Sequence, residues 1–153
     1  MASEYDHTPF DKTQLTLPPQ EKLGCICWVE IPATDLPRAQ TFYSTLFGWE
    51  FAKPSAMGIS DEDNYIIFHK KGTALHGGIA KVSSQDKIVR PVRDGDIAVR
   101  VTVAVEEVGK ALEDIKQNGG EIVREKTEIG GGMGYSGHFR DTEGNIIGVW
   151  SQA

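Results

Sequence analysis

The stretch that decides the fold is Trp28-Val29-Glu30-Ile31-Pro32-Ala33-Thr34-Asp35-Leu36-Pro37-Arg38-Ala39. An alternating run enters it from Cys25 and Cys27 through Val29 and Ile31, with Ile26, Trp28 and Glu30 between them, which predicts a β-strand. Thr34 or Asp35 then offers a helix N-cap, with Pro37 inside the first turn. Leu36, Ala39, Phe42, Tyr43, Leu46 and Phe47 recur at the spacing of one helical face. Gly48 follows where a residue in the left-handed conformation ends a helix. Trp49-Glu50-Phe51, Tyr65–Phe68 and the segment around Leu75–Val82 predict three further strands.

The same pattern returns at a constant offset of 72, which sets Ile31 on Val103, Asp35 on Glu107, Ala39 on Ala111, Gly48 on Gly120 and Gly72 on Gly144. The second unit reads as a strand over Ile97–Val105 and a helix carrying Val108, Ala111, Leu112 and Ile115. Asn118-Gly119-Gly120 stops that helix, and strands follow at Glu121–Arg124, Tyr135–Arg140 and Asn145–Ser151. The polar segment Ser83–Gly95 links the two units. An internal repeat of this kind sets the architecture. The class is α+β: two βαβββ modules, about 23–82 and 96–151, forming a curved, eight-stranded, cup-shaped sheet with the helices outside. Together they make one domain over residues 23–151. Residues 1–22, with Pro9, Pro18 and Pro19 and no apolar period, read as an N-terminal tail, disordered or extended.

Composition narrows the function. The chain has 153 residues and a net charge of −6, which suits one domain and argues against nucleic acid, whose phosphates need a basic surface. No apolar run approaches the roughly 20 residues of a membrane span, and no signal region is evident, so a cytoplasmic protein is expected. Two cysteines cannot make a disulfide framework. Cys25 and Cys27 are expected to pack as inert thiols under the first helix.

In each opening strand the apolar face (Cys27, Val29, Ile31; Val99, Val101, Val103) belongs under its helix, and Trp28, Glu30, Arg100 and Thr102 belong inside the cup. A charge on an inner face needs a partner or a ligand. Glu30 and Arg100 therefore either pair with each other, reach solvent, or serve a bound molecule. Trp28, Tyr135 and Trp150 are candidate aromatic walls, and His138 and His69 are candidate bases. Gly132-Met133-Gly134-Tyr135-Ser136-Gly137 matches G-x-G-x-x-G in letter only, because a strand follows it where a phosphate-binding helix would be required. It reads instead as a flexible connection beside the cup, able to act as a lid.

The opening stretch, continued through Phe42-Tyr43 and Phe47-Gly48-Trp49, resembles the start of a glyoxalase/bleomycin-resistance/dioxygenase domain of the vicinal oxygen chelate superfamily. Phe139-Arg140-Asp141-Thr142-Glu143-Gly144-Asn145 resembles the family's D-P-E-G-N turn, with Thr142 in place of proline. The resemblance covers about residues 23–151. It implies paired modules, a homodimer, and a divalent metal such as zinc, nickel or iron held at four inward positions. Those positions fall here on Trp28, Arg100, Gly148 and His76 (or Gly78 or Ala80 if the fourth strand is out of register), of which only His76 is a ligand type. The expectation is a metal-free cup without cofactor that binds a small organic molecule through Trp28, Arg100, Thr102, Tyr135, His138 and Trp150. The alternative is a lyase or isomerase of glyoxalase type, with or without a metal at His76, in which Glu30 moves a proton next to a carbonyl.

Overall fold

Asp35 and Gly48 mark the two ends of the first helix in the computed structural model, which describes residues 28–57, 63–72, 76–88 and 99–153. Helix α1 spans Leu36–Phe47. The Asp35 carboxylate accepts from the Arg38 backbone N–H at 2.9 Å, and Gly48 adopts φ +62°. Helix α2 spans Val108–Gln117, with the Glu107 carboxylate accepting from the backbone N–H groups of Gly109 and Lys110. These caps satisfy donors that the first turn leaves open.

The strands are β1 (Trp28–Ala33), β2 (Glu50–Ala52), β3 (Tyr65–His69), β4 (His76–Lys81), β5 (Thr102–Ala104), β6 (Glu121–Glu128), β7 (Tyr135–Arg140) and β8 (Ile146–Ser151). Each half therefore reads βαβββ. The order is β1-β4-β3-β2 in one sheet and β5-β8-β7-β6 in the other, with β1/β4 and β5/β8 parallel. Among the described residues the eight strands form two hydrogen-bonded sheets of four rather than a single one, because β1 and β5 are both edge strands there and do not pair with each other.

The repeat holds for the helices and slips in the sheets. Ile31 pairs with Ile79, whereas Val103 pairs with Val149, two residues short of the position the offset of 72 assigns. A slide of two keeps every side chain on its own face, so the hydrophobic pattern tolerates it. The second opening strand is also shorter than expected: β5 begins at Thr102, and Val99 is fully exposed instead of lying under the helix. Strand β6 is longer than expected, running to Glu128. The tail, Cys25 and Cys27, and most of the 83–95 linker lie outside the described residues.

One core serves both halves. It takes Leu36, Phe42 and Tyr43 from α1, Leu112 and Ile115 from α2, Ile79 from β4 and Phe139 from β7. Phe42 and Phe47 reach Phe139 across the module boundary, at 6.1 Å between ring centroids in each case. Tyr43 stacks on Trp49 at 4.5 Å, and Trp49 stacks on Phe68 at 4.2 Å. Each such ring pair adds about 1 kcal/mol beyond its area burial. Helix α1 is thus buried against both modules, and the sheet faces turned away from the core remain open for a site.

Candidate functional site

On the open face of the first sheet, β1 contributes Trp28 and Glu30, β3 contributes Tyr65 and His69, and β4 contributes His76. Trp28 is the direct cross-strand partner of His76. Tyr65 lies over Gly78, where an added Cβ would sit 2.0 Å from its hydroxyl. Glycine there lets the ring cross the strand. The Tyr65 hydroxyl donates to Glu30 at 2.8 Å and accepts from the Trp28 indole N–H at 3.0 Å. Burial first, and the hydrogen bond to the Glu30 carboxylate second, push the Tyr65 phenol up to about 12, with the indole donor pulling the other way. Tyr65 is therefore a fixed donor to Glu30 at neutral pH. Glu30 itself is exposed. His69 Nε2 stands 2.9 Å from the Glu50 carboxylate. His76 is buried, and burial followed by the neighbouring His69 holds its imidazole below the usual value.

On the open face of the second sheet, Arg100, Thr102, His138 and Trp150 come together. Thr102 pairs with Gly148, and Gly148 with His138. Arg100 Nη1 lies 2.7 Å from Nε2 of His138. Since arginine only donates, this contact requires an unprotonated ring nitrogen. Burial, then Arg100, then Arg124 lower the His138 imidazole from its ordinary value, which keeps that nitrogen free to accept. The Trp150 indole donates to the Met133 carbonyl at 2.8 Å, and Gln152 holds Gly132, so the glycine-rich loop is tethered to β8 and the residue after it.

The structure separates some residues that the sequence reading grouped. Glu30 and Arg100 do not pair: the first turns to Tyr65 and the second to His138. Tyr135 is not an aromatic wall beside Trp150. It packs on the core side of β7, under the Lys126 ammonium at 4.3 Å from the ring centroid, because alternation puts Ser136, His138 and Arg140 on the opposite face. Tyr65, the bridge between Trp28 and Glu30, carried no sequence signal beyond its place in a strand. Arg124 was also missed, because the register of β6 that places it cannot be read from alternation.

The residues present do not suit the divalent metal that the fold class implies. Trp28, Gly148 and Arg100 offer no donor, and Thr102, which register makes the true counterpart of Trp28, offers only a hydroxyl. Among the described residues no three His, Cys, Asp or Glu side chains cluster as ligands. A cavity of about 810 Å³ lies on the core side between the modules, with Phe47, Trp49 and Phe68 facing Val101 and Val103. Of the predicted residues only Thr102 lines it, and the charged side chains that line it (Lys70, Glu106, Glu107, Lys110 and Asp114) are not among the Glu30, His69, His76 and His138 groups described above.

Comparison with known proteins agrees with this architecture. The family model of the Glyoxalase/Bleomycin resistance protein/Dioxygenase superfamily matches residues 26–149. A glyoxylase-like domain-containing protein of Didymella fabae is 31% identical over 128 residues, covering 82% of this chain and 92% of that one. The crystal structure of a glyoxalase-related enzyme from Fulvimarina pelagi superposes with a TM-score of 0.59 at 17% identity, covering 84% of this chain and 88% of that one. A possible glyoxalase from Bacillus cereus gives a TM-score of 0.58 at 14% identity, with 84% and 99% covered. With the two βαβββ modules and the D-T-E-G-N turn in place, the chain belongs to the glyoxalase/bleomycin resistance protein/dioxygenase superfamily.

Proposed function

We propose that this protein binds a small organic molecule without a divalent metal, on the open sheet faces that carry Trp28, Arg100, Thr102, His138 and Trp150, and that it works as a cytoplasmic homodimer. The observation that carries this reading is the donor set. The four positions that would hold a metal in this fold carry the indole of Trp28, the imidazole of His76, no side chain at Gly148 and, at the fourth, the Thr102 hydroxyl by register where the repeat offset gives the Arg100 guanidinium. Arg100 is the residue that holds an anionic group of the ligand, since a guanidinium meets a carboxylate or phosphate with two parallel donors. The edges of β1 and β5, which have no strand partner among the described residues, support dimerisation, because open strand edges are natural pairing surfaces.

Metal analysis of the purified protein, joined to mass spectrometry of small molecules retained from the cell, tests the proposal. A retained organic molecule with substoichiometric metal is the expected result. Stoichiometric zinc, nickel or iron that disappears in His76→Ala would overturn it.

Two contacts favour a second reading, an enzyme that moves a proton next to a carbonyl. The Glu50–His69 contact at 2.9 Å is a carboxylate-oriented imidazole, and Tyr65 donates to Glu30 on the same face. Both arrangements are found in general acid–base catalysis. This reading expects turnover of a carbonyl substrate that falls in Glu30→Gln and in His69→Asn while ligand binding persists.

A further inference from the structure

Strand β6 breaks its own alternation at one place. Ile122 pairs with Phe139 on the core side, yet Arg124, two residues on, pairs with His138 on the open face. Val123 is the extra residue of a β-bulge between them, and a second irregularity follows before Thr127. In a regular strand Arg124 would share the face of Ile122 and point toward the core. The bulge re-aims it, which is a recurrent use of bulges beside binding sites. The result is a single rung across the sheet, Thr102–Gly148–His138–Arg124, with Arg100 reaching over it to the His138 ring.

Among the described residues the charges on this rung are uncompensated. Arg140, on the same face, is paired with Glu121 at 3.3 Å. Neither Arg100 nor Arg124 forms an ion pair with a carboxylate among the described residues. In a chain of net charge −6, two guanidinium groups flanking one imidazole with no acid between them is an arrangement that costs repulsion unless an anion completes it. Gly148 forms the floor. An added Cβ there would lie 2.6 Å from Thr102 Oγ1, so glycine lets the Thr102 hydroxyl lean over the rung, and any side chain at 148 would displace it.

We infer that this rung is a cradle for a doubly charged oxyanion of the phosphate or phosphonate class, held by Arg100 and Arg124 with the Thr102 hydroxyl and the His138 ring as further donors. The inference rests on the anion-holding role proposed for Arg100 and names the class of group it holds. A dianion matches two guanidinium forks better than a monocarboxylate does. On binding, the His138 ring changes from acceptor of Arg100 to donor to the anion, so its protonation becomes a direct reporter.

Calorimetric titration of the full chain with inorganic phosphate, phenyl phosphate and acetate tests this, with the His138 ring followed by NMR. Phosphate is expected to bind more tightly than acetate. Arg100→Ala and Arg124→Ala are each expected to weaken phosphate by about tenfold or more, and Gly148→Ala to weaken it as well. Lys116→Ala, on the last turn of α2, is the control for net charge. The His138 resonances should shift on phosphate addition in the parent protein and not in Arg124→Ala. Tighter binding of phenyl phosphate than of phosphate identifies a phosphorylated organic molecule as the ligand, and equal binding identifies the free anion. Phosphate binding that Arg124→Ala leaves unchanged, or that is no tighter than acetate, overturns the cradle. The two proposals fail separately. Phosphate held with phenyl phosphate excluded keeps the cradle and removes the organic ligand. A retained organic molecule indifferent to both arginine variants removes the cradle and keeps the binding protein.

Discussion

Arg38 on α1 grips Glu143 in the second module, 105 residues further along the chain, with Nε 2.7 Å from Oε1 and Nη2 3.0 Å from Oε2. Glu143 is fully buried and also accepts from the Thr34 backbone N–H at 2.8 Å and the Thr34 hydroxyl at 2.9 Å. The D-T-E-G-N turn thus caps the opening of α1 from the other module. Beside it, Asp141 accepts from the Tyr43 hydroxyl at 2.7 Å. The two acids of the turn act as a clasp that sets how the modules meet, and hence how the two open faces are placed.

Burial raises the Glu143 carboxyl, but the hydrogen bonds from Arg38 and Thr34 together hold it below the usual glutamate range. A carboxylate lowered in the folded state stabilises above its unfolded pKa, and that stabilisation is lost as pH falls through the folded value. Glu143→Ala, which leaves donors without an acceptor, is expected to cost about 3 kcal/mol near pH 7. Glu143→Gln keeps the shape and loses the charge. The gap in thermal midpoint between Glu143→Gln and the parent should be widest at pH 7 and should narrow toward pH 3. A gap that stays constant over that range would remove the charge from the argument.

Gly78 makes the Trp28–Tyr65–Glu30 chain possible. A methyl at this position meets the Tyr65 hydroxyl and ring at 2.0 to 2.4 Å, so Gly78→Ala is expected to displace the ring and destabilise by about 1–3 kcal/mol, the usual cost of overpacking. Tyr65→Phe keeps the ring and removes only the hydroxyl. It should perturb the Trp28 indole N–H resonance with little change in denaturation midpoint. If Gly78→Ala leaves that resonance in place, Tyr65 does not cross the strand there.

Much of this architecture could be read from the chain because its signals are local. Asp35, Pro37 and Gly48 bound α1 within a few residues of the apolar stripe they terminate, and the offset of 72 carried the same reading to Glu107 and Gly120. What escaped depends on distant or irregular pairing. Glu143 gave no hint of its partner because Arg38 lies in the other module. Arg124 escaped because a bulge shifts the phase of β6, and period-2 reasoning assumes an unbroken phase. Tyr135 was assigned to the cup for its aromaticity alone, and its face followed from Phe139 two positions on, which needs the core. The division into two sheets was also hidden, because whether β1 and β5 pair is a matter of how modules pack and not of either strand's own sequence.

Two imidazoles of the open faces give the last prediction. His76 and His138 are both held below the usual histidine value of 6.5, each first by burial, then by His69 for the former and by Arg100 and Arg124 for the latter. The unfolded chain therefore binds protons at a pH where the folded one does not. Stability is at its full value above about pH 6.5 and falls as pH drops through that value toward the lowered folded ones. Thermal midpoints measured from pH 7.5 to 5 should decline in the parent, and should decline less in His76→Asn and less again in the double variant with His138→Asn. The decline should also shrink on adding inorganic phosphate, because an anion on the rung favours protonated His138 and opposes the effect of Arg100 and Arg124. Parallel curves for parent and variants would show that neither ring is shielded from protonation by its neighbours.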